Sequence, residues 1–366
     1  MVMRKKRYDR LFLAIVSALV IAGLAIFVSA SLGLLARQGI ALGVTTLKQV
    51  LGGLGIGSLF LFAASQIPYG FWKKAAIPFF VISLILTALV LIPQIGITVN
   101  GARRWLPLGP LSFQPSELLK FGFVIYLATW ITSTKNNIQS LKFGFLPFAI
   151  VIGVVGVLLL KQPDTGTFIV FFITAIAMFI IGGGRWAHFF AMVLMSVVGI
   201  AVLAFMRPYV LNRLTTFLDP SSDAQGASYQ VRQALIAIGA GGTFGRGFGQ
   251  SLQKFSFLPE PTTDSIFAVA AEEFGFVGSV IIIILFLLFA LRGFRIANRS
   301  PDTFGKLLAI GFTTLIVSQS FVNIAAMLGI IPLTGVPLLF ISHGATAFAA
   351  AMAEVGVILA VSKGRA

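Results

Sequence analysis

Long runs of apolar residues, separated by short polar segments, follow one another along most of the chain. They do not show the narrow stripe at 3.6-residue spacing that marks a helix half exposed to water. A run of about 18 or more apolar residues can cross a bilayer as a helix, and a helix bonds its own backbone groups in lipid. The pattern therefore predicts an all-α integral membrane protein with about ten transmembrane helices.

The predicted spans form one polytopic membrane domain over residues 1–366. A large extracytoplasmic loop, residues 207–263, separates the seventh span from the eighth, and within it Tyr229–Ile238 has the period of an amphipathic helix. A second long outer loop is Pro93–Glu117. The predicted spans are Leu11–Leu32, Leu51–Ile67, Ala75–Ile92, Leu118–Ser133, Phe143–Leu160, Thr165–Ile181, Trp186–Met206, Ile266–Leu291, Phe304–Leu328 and Leu338–Val361.

Composition agrees with this prediction, and charge gives it an orientation. The chain is 58% hydrophobic and 10% charged, whereas soluble domains have about 25% charged residues. Lys and Arg are concentrated near the N-terminus and in the short loops of the same side, which is the cytoplasmic pattern. We therefore expect both termini in the cytoplasm and the chain in the cytoplasmic (inner) membrane.

The net charge of +16 then gives no reason to expect nucleic acid as a partner. The lack of cysteine excludes disulfides and thiolate sites.

Acidic residues at membrane depth are the first candidates for chemistry. Glu272, Glu273 and Glu354 lie within or beside apolar spans, and Asp164 lies at the edge of one. A carboxylate there is costly and usually faces a cavity or a partner. Pairing with nearby cations such as Lys161 is the structural alternative, and the sequence leaves both explanations open.

Asp264 follows a proline-containing segment and stands just before an apolar span. Thr263 or Asp264 could cap the helix that follows, since aspartate and threonine are common caps. A role for Asp264 as a general base is the alternative. On a helix that begins at Asp264, Glu272 would lie about 80° around the axis and Glu273 about 180°, some 12 Å along it. The two glutamates therefore cannot both share the face of Asp264.

Cations on the predicted outer side need an explanation, because cytoplasmic loops should hold most of them. Arg103 is one such cation. Lys120 is another, one turn into the helix that the segment Phe113–Glu117 is predicted to cap. Arg246 lies in the glycine-rich segment Gly239–Gly249, which is either an anion-binding nest or a tight turn. Snorkelling toward lipid phosphate and binding of an anionic lipid-linked substrate are the two explanations for this basic set.

Several motifs occur in an order that resembles a known family. They are Asn100–Trp105, Phe113–Lys120, Gln162–Thr167, Leu258–Asp264, Glu272–Gly275 and Pro332–Pro337. The chain is similar over nearly its whole length to the SEDS proteins (shape, elongation, division, sporulation), which polymerise peptidoglycan glycan strands. Asn100–Trp105 and Val28–Ser31 resemble the division branch more than the elongation branch. The chain departs from the family pattern at Thr262, Ser265 and Ser342–Thr346. It matches the pattern at Asp264.

The resemblance implies a peptidoglycan glycosyltransferase that joins lipid II into glycan strands, releases undecaprenyl diphosphate and serves septal wall synthesis. It implies Asp264 as the catalytic base. The implied substrate-binding residues are Arg103, Lys120, Glu117, Arg246, Asp164, Glu272 and Glu273. A divalent cation, Mg²⁺ or Mn²⁺, is a further candidate to balance the diphosphate, with unknown ligands; no organic cofactor is expected. The implied partners are membrane lipids, a class B penicillin-binding transpeptidase and other divisome or elongasome membrane proteins.

Other functions remain open at this stage. A flippase for lipid-linked wall precursors would also suit intramembrane acids and a basic outer face, although the sequence shows no inverted repeat. An elongation-type polymerase and a non-catalytic scaffold are further alternatives. Polymer formation from lipid II would distinguish the enzyme from the flippase and the scaffold.

Overall fold

The computed structural model describes residues 8–38, 48–99, 102–108, 111–206, 211, 215, 217–218, 227–342 and 344–364. Most of them are helical because apolar runs in lipid must bond their backbone groups internally. Two π-helical turns, Lys48–Gly55 and Leu141–Phe145, precede α2 and α5. The helices are α1 Arg10–Gln38, α2 Ile56–Gln66, α3 Tyr69–Leu89, α4 Pro115–Ser133, α5 Leu146–Lys161, α6 Thr165–Ile181, α7 Trp186–Met206, α8 Ala227–Ala240, α9 Gln253–Ser256, α10 Ile266–Asn298, α11 Thr303–Met327 and α12 Ala345–Ser362.

Every predicted span overlaps one of these helices, so the prediction of a multi-pass α-helical membrane protein is confirmed. The tenth predicted span, Leu338–Val361, is wrong at its start, because its helix begins only at Ala345. Among the described residues, 6 helices are long and apolar enough to cross a membrane. The exact number of ten crossings therefore stays a prediction. The spans of α11 and α12 are 78% and 72% buried inside the protein, against 22% for α3. α11 and α12 thus form the centre of the bundle, while α3 presents most of its apolar surface outward.

The loop before α4, predicted to lie outside, contains a small antiparallel sheet that the all-α prediction does not include. Its strands are β1 Ile97–Val99, β2 Ala102–Leu108 and β3 Leu111–Phe113, in the order β1-β2-β3. Ile97 pairs with Trp105 and Leu106 pairs with Phe113. Strands this short carry too few alternating positions to be told from a loop by pattern.

The described part of the large loop between α7 and α10 contains α8 and α9. The predicted amphipathic helix Tyr229–Ile238 lies within α8, so the helix itself is confirmed. Ala234 and Ala237 are buried, while Leu235 and Ile236 are exposed. Small residues on one face let α8 pack closely on α10. Residues 219–226, which include Ser222, lie outside the described residues.

α10 is interrupted at Gly275, whose φ of 67° and ψ of −163° are not helical. The glycine-rich segment Gly239–Gly249 docks against this break and bonds the backbone groups that the interruption leaves without helical partners. The bonds run from Arg246 N to Glu272 O (3.0 Å), Gly247 N to Glu273 O (2.9 Å), Phe276 N to Gly242 O (2.8 Å) and Val277 N to Thr243 O (3.1 Å). Two of the amides in the predicted anion nest are therefore engaged by α10.

Candidate active site

Asp264 lies in the turn Pro261–Ser265, just before α10, and its side chain is partly exposed. α10 begins at Ile266, and its N-cap is Ser265, which makes no side-chain capping hydrogen bond. Asp264 therefore precedes the cap position, and the helix that we assumed to begin at Asp264 starts two residues later. Capping alone does not account for an aspartate at this place.

Side chains from three other parts of the protein fasten this turn. They come from α11, from the segment before α12 and from α8. Asn323 Nδ2 donates to Asp264 O (2.8 Å), Ser342 Oγ donates to Thr263 O (2.7 Å), and Gln230 Nε2 donates to Ser265 Oγ (2.9 Å). The backbone on which Asp264 stands is thus fixed by tertiary contacts rather than by helical hydrogen bonds.

The segment Pro332–Pro337 forms a wall beside Asp264. Gly335 has a φ of +71°, and a Cβ built there would lie 3.6 Å from Asp264 Oδ2. The carboxylate therefore lies against bare backbone. On another side of this segment, a Cβ built at Gly166 would lie 2.7 Å from Thr334 O, so the start of α6 packs tightly on it.

Asp164 is buried at the start of α6, where its Oδ1 accepts a hydrogen bond from Thr167 N (3.3 Å). Arg104 Nη1 of β2 lies 3.8 Å from the same oxygen. Arg104 also donates to the backbone oxygens of Gln162 (3.1 Å) and Pro163. The cation beside Asp164 is therefore Arg104, not Lys161. Among the described residues, the other carboxylate oxygen, Oδ2, is buried and has no hydrogen-bond partner.

Arg103 points in a different direction from Arg104. Its Nε donates to Thr98 Oγ1 (3.3 Å) and its Nη1 to Leu91 O (3.4 Å). Thr98 belongs to β1 of the hairpin, and Leu91 belongs to the turn that precedes it. Of the two neighbouring arginines, Arg104 ties the sheet to the start of α6, while Arg103 stabilises the hairpin itself.

Glu117 and Lys120 form a buried ion pair in α4 with 2.7 Å between Oε2 and Nζ. Lys120 Nζ also donates to Gln319 Oε1 (2.6 Å). Gln319 Nε2 in turn donates to Pro337 O (3.2 Å), so the pair is connected to the wall beside Asp264. Glu354 of α12 is also buried and interacts electrostatically with both members of the pair.

Glu272 and Glu273 are buried in the N-terminal half of α10, and each has its own set of partners. Glu272 accepts from Ser251 Oγ (2.5 Å), Leu252 N (3.1 Å) and Gln253 N (3.3 Å), and so holds the start of α9. Glu273 lies 2.5 Å from Lys254 Nζ and accepts from Ser29 Oγ of α1 (2.6 Å).

Arg246 Nε lies 3.7 Å from Glu272 Oε1, and the arginine side chain is 38% exposed. At a rise of about 1.5 Å per residue, Glu272 lies about two turns of α10 from Asp264. The structure therefore divides the predicted site residues into two groups. One group surrounds Pro332–Pro337, and the other surrounds the glycine-rich segment; Arg103, bonded within the hairpin and the turn before it, belongs to neither.

Gln319 and Asn323 stand in the first group, although sequence reasoning did not name them. A signal was present, because two amide residues one turn apart in an apolar span are unusual and tend to bond backbone or neighbouring helices. Arg104 lies in the motif Asn100–Trp105, but its contact with Asp164 had no local signal. Lys254 had none either, since its partner Glu273 lies on another helix. In the described residues no group of three or more His, Asp or Glu is placed to hold a metal ion. The divalent cation stays a prediction.

Known proteins resemble the chain in sequence and in structure. The FtsW/RodA/SpoVE family model, described as cell cycle protein, matches residues 9–366. Stage V sporulation protein E of Bacillus subtilis is 39% identical over 309 residues, 84% of each chain. A probable peptidoglycan glycosyltransferase FtsW of Trichlorobacter lovleyi is 36% identical over 361 residues, 99% of this chain and 94% of that one.

Two solved structures share this fold over nearly the whole chain. One is a chain from a peptidoglycan synthase complex that coordinates polymerization and crosslinking, with a TM-score of 0.80, 30% identity and 98% of both chains covered. The other is the rod shape determining protein RodA of Thermus thermophilus, with a TM-score of 0.72 and 29% identity over 98% of this chain and 97% of that one.

Proposed function

Since the chain belongs to the FtsW/RodA/SpoVE family of cell cycle proteins, we propose that it is a peptidoglycan glycosyltransferase that polymerises lipid II. Relatives that cover 80% or more of the chain are named as probable enzymes of this kind. The observation that carries the assignment of the site is the position of Asp264. Its partly exposed carboxylate lies beside Gly335, on a turn fastened from three sides.

The proposed reaction is an inverting displacement at the anomeric carbon of the donor sugar. The acceptor 4-hydroxyl attacks this carbon, its proton passes to the Asp264 carboxylate, and the bond to undecaprenyl diphosphate breaks. The α-linkage becomes a β-linkage in one step, so a single carboxylate suffices and no covalent sugar intermediate forms.

The departing diphosphate needs positive charge around it. Arg246 is the proposed direct contact, because its side chain is 38% exposed. Arg103 is a second candidate, partly exposed on the hairpin. Lys120 is 2% exposed and paired with Glu117, so we assign it to the local field rather than to direct contact. The three buried carboxylates are proposed to hold the surrounding segments in place through the contacts described above. They are Asp164, Glu272 and Glu273.

We further propose that the protein lies in the cytoplasmic membrane with both termini inside and Asp264 near the outer surface. The proposed partner is a class B penicillin-binding transpeptidase. The similarity to a chain from a peptidoglycan synthase complex supports this choice. The similarity to named FtsW proteins supports a role in septal rather than elongation-type synthesis.

The test uses purified protein, its transpeptidase partner and fluorescent lipid II. The wild type should form glycan polymer and release undecaprenyl diphosphate. Asp264→Asn should form none while keeping its thermal unfolding midpoint, because asparagine keeps the size of aspartate but is not a base. The matched control is Asp302→Asn. Asp302 caps α11 through Gly305 N (2.6 Å), and asparagine caps about as well, so this variant should stay active.

Two results would contradict the proposal. Substantial polymer from Asp264→Asn would remove the base role from Asp264 and direct attention to Glu117 or to the pair Glu272 and Glu273. Movement of lipid II across the bilayer without bond formation would support a flippase instead.

A further inference from the structure

A general base must be held within about 0.5 Å of its productive position for efficient catalysis. Asp264 lies in a turn before α10, where helical hydrogen bonds do not fix its backbone. Backbone hydrogen bonds from Thr263 N (3.2 Å) and Ser265 N (3.1 Å) to Glu260 O shape the turn, and side chains from other elements fix it against the rest of the protein. Of the three side chains described above, Asn323 is the one that donates to the backbone of Asp264 itself.

Asn323 lies on the central helix α11 and is 1% exposed. Its Nδ2 donates to Asp264 O and to Val336 O, each at 2.8 Å. An amide nitrogen has two hydrogens, so both are used. The two carbonyl acceptors also determine the orientation of the amide, since a flipped amide would set its oxygen against both of them.

The two acceptors belong to two different segments of the chain, both of which contact the carboxylate or carry it. Asp264 O belongs to the turn that bears the carboxylate, and Val336 O belongs to the segment whose Gly335 lies beside Oδ2. One buried amide thereby sets the separation between the base and the wall that it faces. A small shift of this amide would change both positions at once.

We propose that Asn323 is a positioning residue for glycosyl transfer: its amide bridges the Asp264 turn to Pro332–Pro337 and so aims the carboxylate along Gly335. This inference rests on the proposed function. Asn323 acts through Asp264 and not on the sugar, so its loss should lower kcat without weakening lipid II binding to the same degree.

Gln319 offers an internal comparison, since it stands one turn earlier on the same face of α11. Its Nε2 donates to Pro337 O (3.2 Å) and its Oε1 accepts from Lys120, so it supports the wall and the buried ion pair. Asn323 differs in bonding the turn of the base as well. Removal of Asn323 should therefore reduce kcat more than removal of Gln319 does at a comparable loss of stability.

The experiment measures kcat and KM for lipid II polymerisation by the purified full-length chain with its transpeptidase partner. Asn323→Leu keeps the side-chain size and removes both donors. We expect kcat to fall about 100-fold, as for misplacement of a catalytic group by about 1 Å, and KM to change by less than about threefold. The control is Ser320→Ala, which removes a buried hydroxyl whose hydrogen bond to Ile316 O (2.9 Å) stays within α11. It should keep the wild-type kcat.

Asn323→Leu leaves two buried carbonyls without donors and can fail to fold. Asn323→Ser is then the deciding variant, because it is smaller and keeps one donor. We expect its kcat to be about tenfold below the wild type with little change in KM. A kcat within about twofold of the wild type, in whichever variant folds, would overturn the inference.

The two proposals can fail separately. A wild type that forms no polymer would overturn both. An active wild type and an inactive Asp264→Asn, beside fully active Asn323 variants, would overturn only the positioning role. A raised KM with an unchanged kcat would also overturn the positioning role, because that result would place Asn323 in substrate binding.

Discussion

Lys254 and Glu273 form an ion pair in which both side chains are 0% exposed and 2.5 Å separates Nζ from Oε1. Ser29 Oγ donates to the same carboxylate at 2.6 Å. Lys254→Met would leave the carboxylate buried without its cation, which typically costs about 3–5 kcal/mol. We expect a matching fall in the free energy of unfolding, measured in detergent with a chemical denaturant.

The double variant Lys254→Met with Glu273→Gln provides the check on this prediction. It removes both charges, and neutral replacement of a buried pair is often close to neutral for stability. The double variant should therefore be more stable than Lys254→Met alone. Equal instability of the two variants would show that packing, and not the uncompensated charge, causes the loss.

Arg104 offers a second prediction at the residue scale, because its guanidinium bonds the turn Gln162–Asp164 at several points. A lysine has one compact ammonium and cannot match this geometry. Arg104→Lys should therefore reduce polymerisation by loosening the start of α6, which packs on Thr334. Arg103→Lys is the comparison, since its contacts stay within the hairpin and the turn before it. Polymer yield and thermal midpoint should fall more for Arg104→Lys, and an equal fall in both variants would contradict the prediction.

The break in α10 is the feature that matters most at the scale of elements. Gly275 has a φ of 67°, and a Cβ built there would lie 2.3 Å from Gly245 N. Gly275→Ala should cost about 1–3 kcal/mol of stability, because the backbone conformation is strained for a residue with a Cβ. Differential scanning fluorimetry in detergent should show a lower midpoint.

Gly239→Ala is the matched control for that substitution. Gly239 lies in α8, and a Cβ built there has nothing within 4 Å. Alanine is favoured over glycine in helices by about 1 kcal/mol, so this variant should be as stable as the wild type or more so. Destabilisation of both variants to the same extent would contradict the strain explanation.

Element boundaries could be predicted well where hydrophobicity alone determines them. Thr165–Ile181 and Trp186–Met206 are helices over the residues that the sequence predicted. α10 instead continues past Leu291 to Asn298, because helical hydrogen bonds persist beyond the apolar run into polar residues. Its break was not predictable, since Gly275 adopts a non-helical conformation only because the glycine-rich segment docks there. The bond from Asn323 to Asp264 joins a residue of α11 to a turn that lies 59 residues earlier in the chain, which no local pattern reports.

At the scale of the whole molecule, the two described ends of the chain meet. Asp9 N donates to Ser362 Oγ (3.3 Å), and Lys363 Nζ donates to Tyr8 OH. Both ends therefore lie on one face of the bundle, as an even number of crossings requires. Which side of the membrane this face occupies stays a prediction from the distribution of Lys and Arg.

Cysteine labelling tests that orientation directly, since the native chain has no cysteine. Ser222→Cys, outside the described residues, should react with an impermeant maleimide in intact spheroplasts, because the large loop is predicted to lie outside. Asn136→Cys is the control, exposed in the connection between α4 and α5, and should react only after lysis. The reverse labelling pattern would invert the predicted topology.

The docking of the glycine-rich segment on α10 also has a consequence for hydrogen–deuterium exchange. Each of the two segments supplies hydrogen-bond partners to the other, so neither can open alone. Backbone amides that become accessible through one cooperative opening share one opening free energy in hydrogen–deuterium exchange. The amides concerned are those of Arg246, Gly247, Phe276 and Val277. Their exchange would therefore report a single release event, which joins the middle of a membrane helix to a loop that precedes it in the chain.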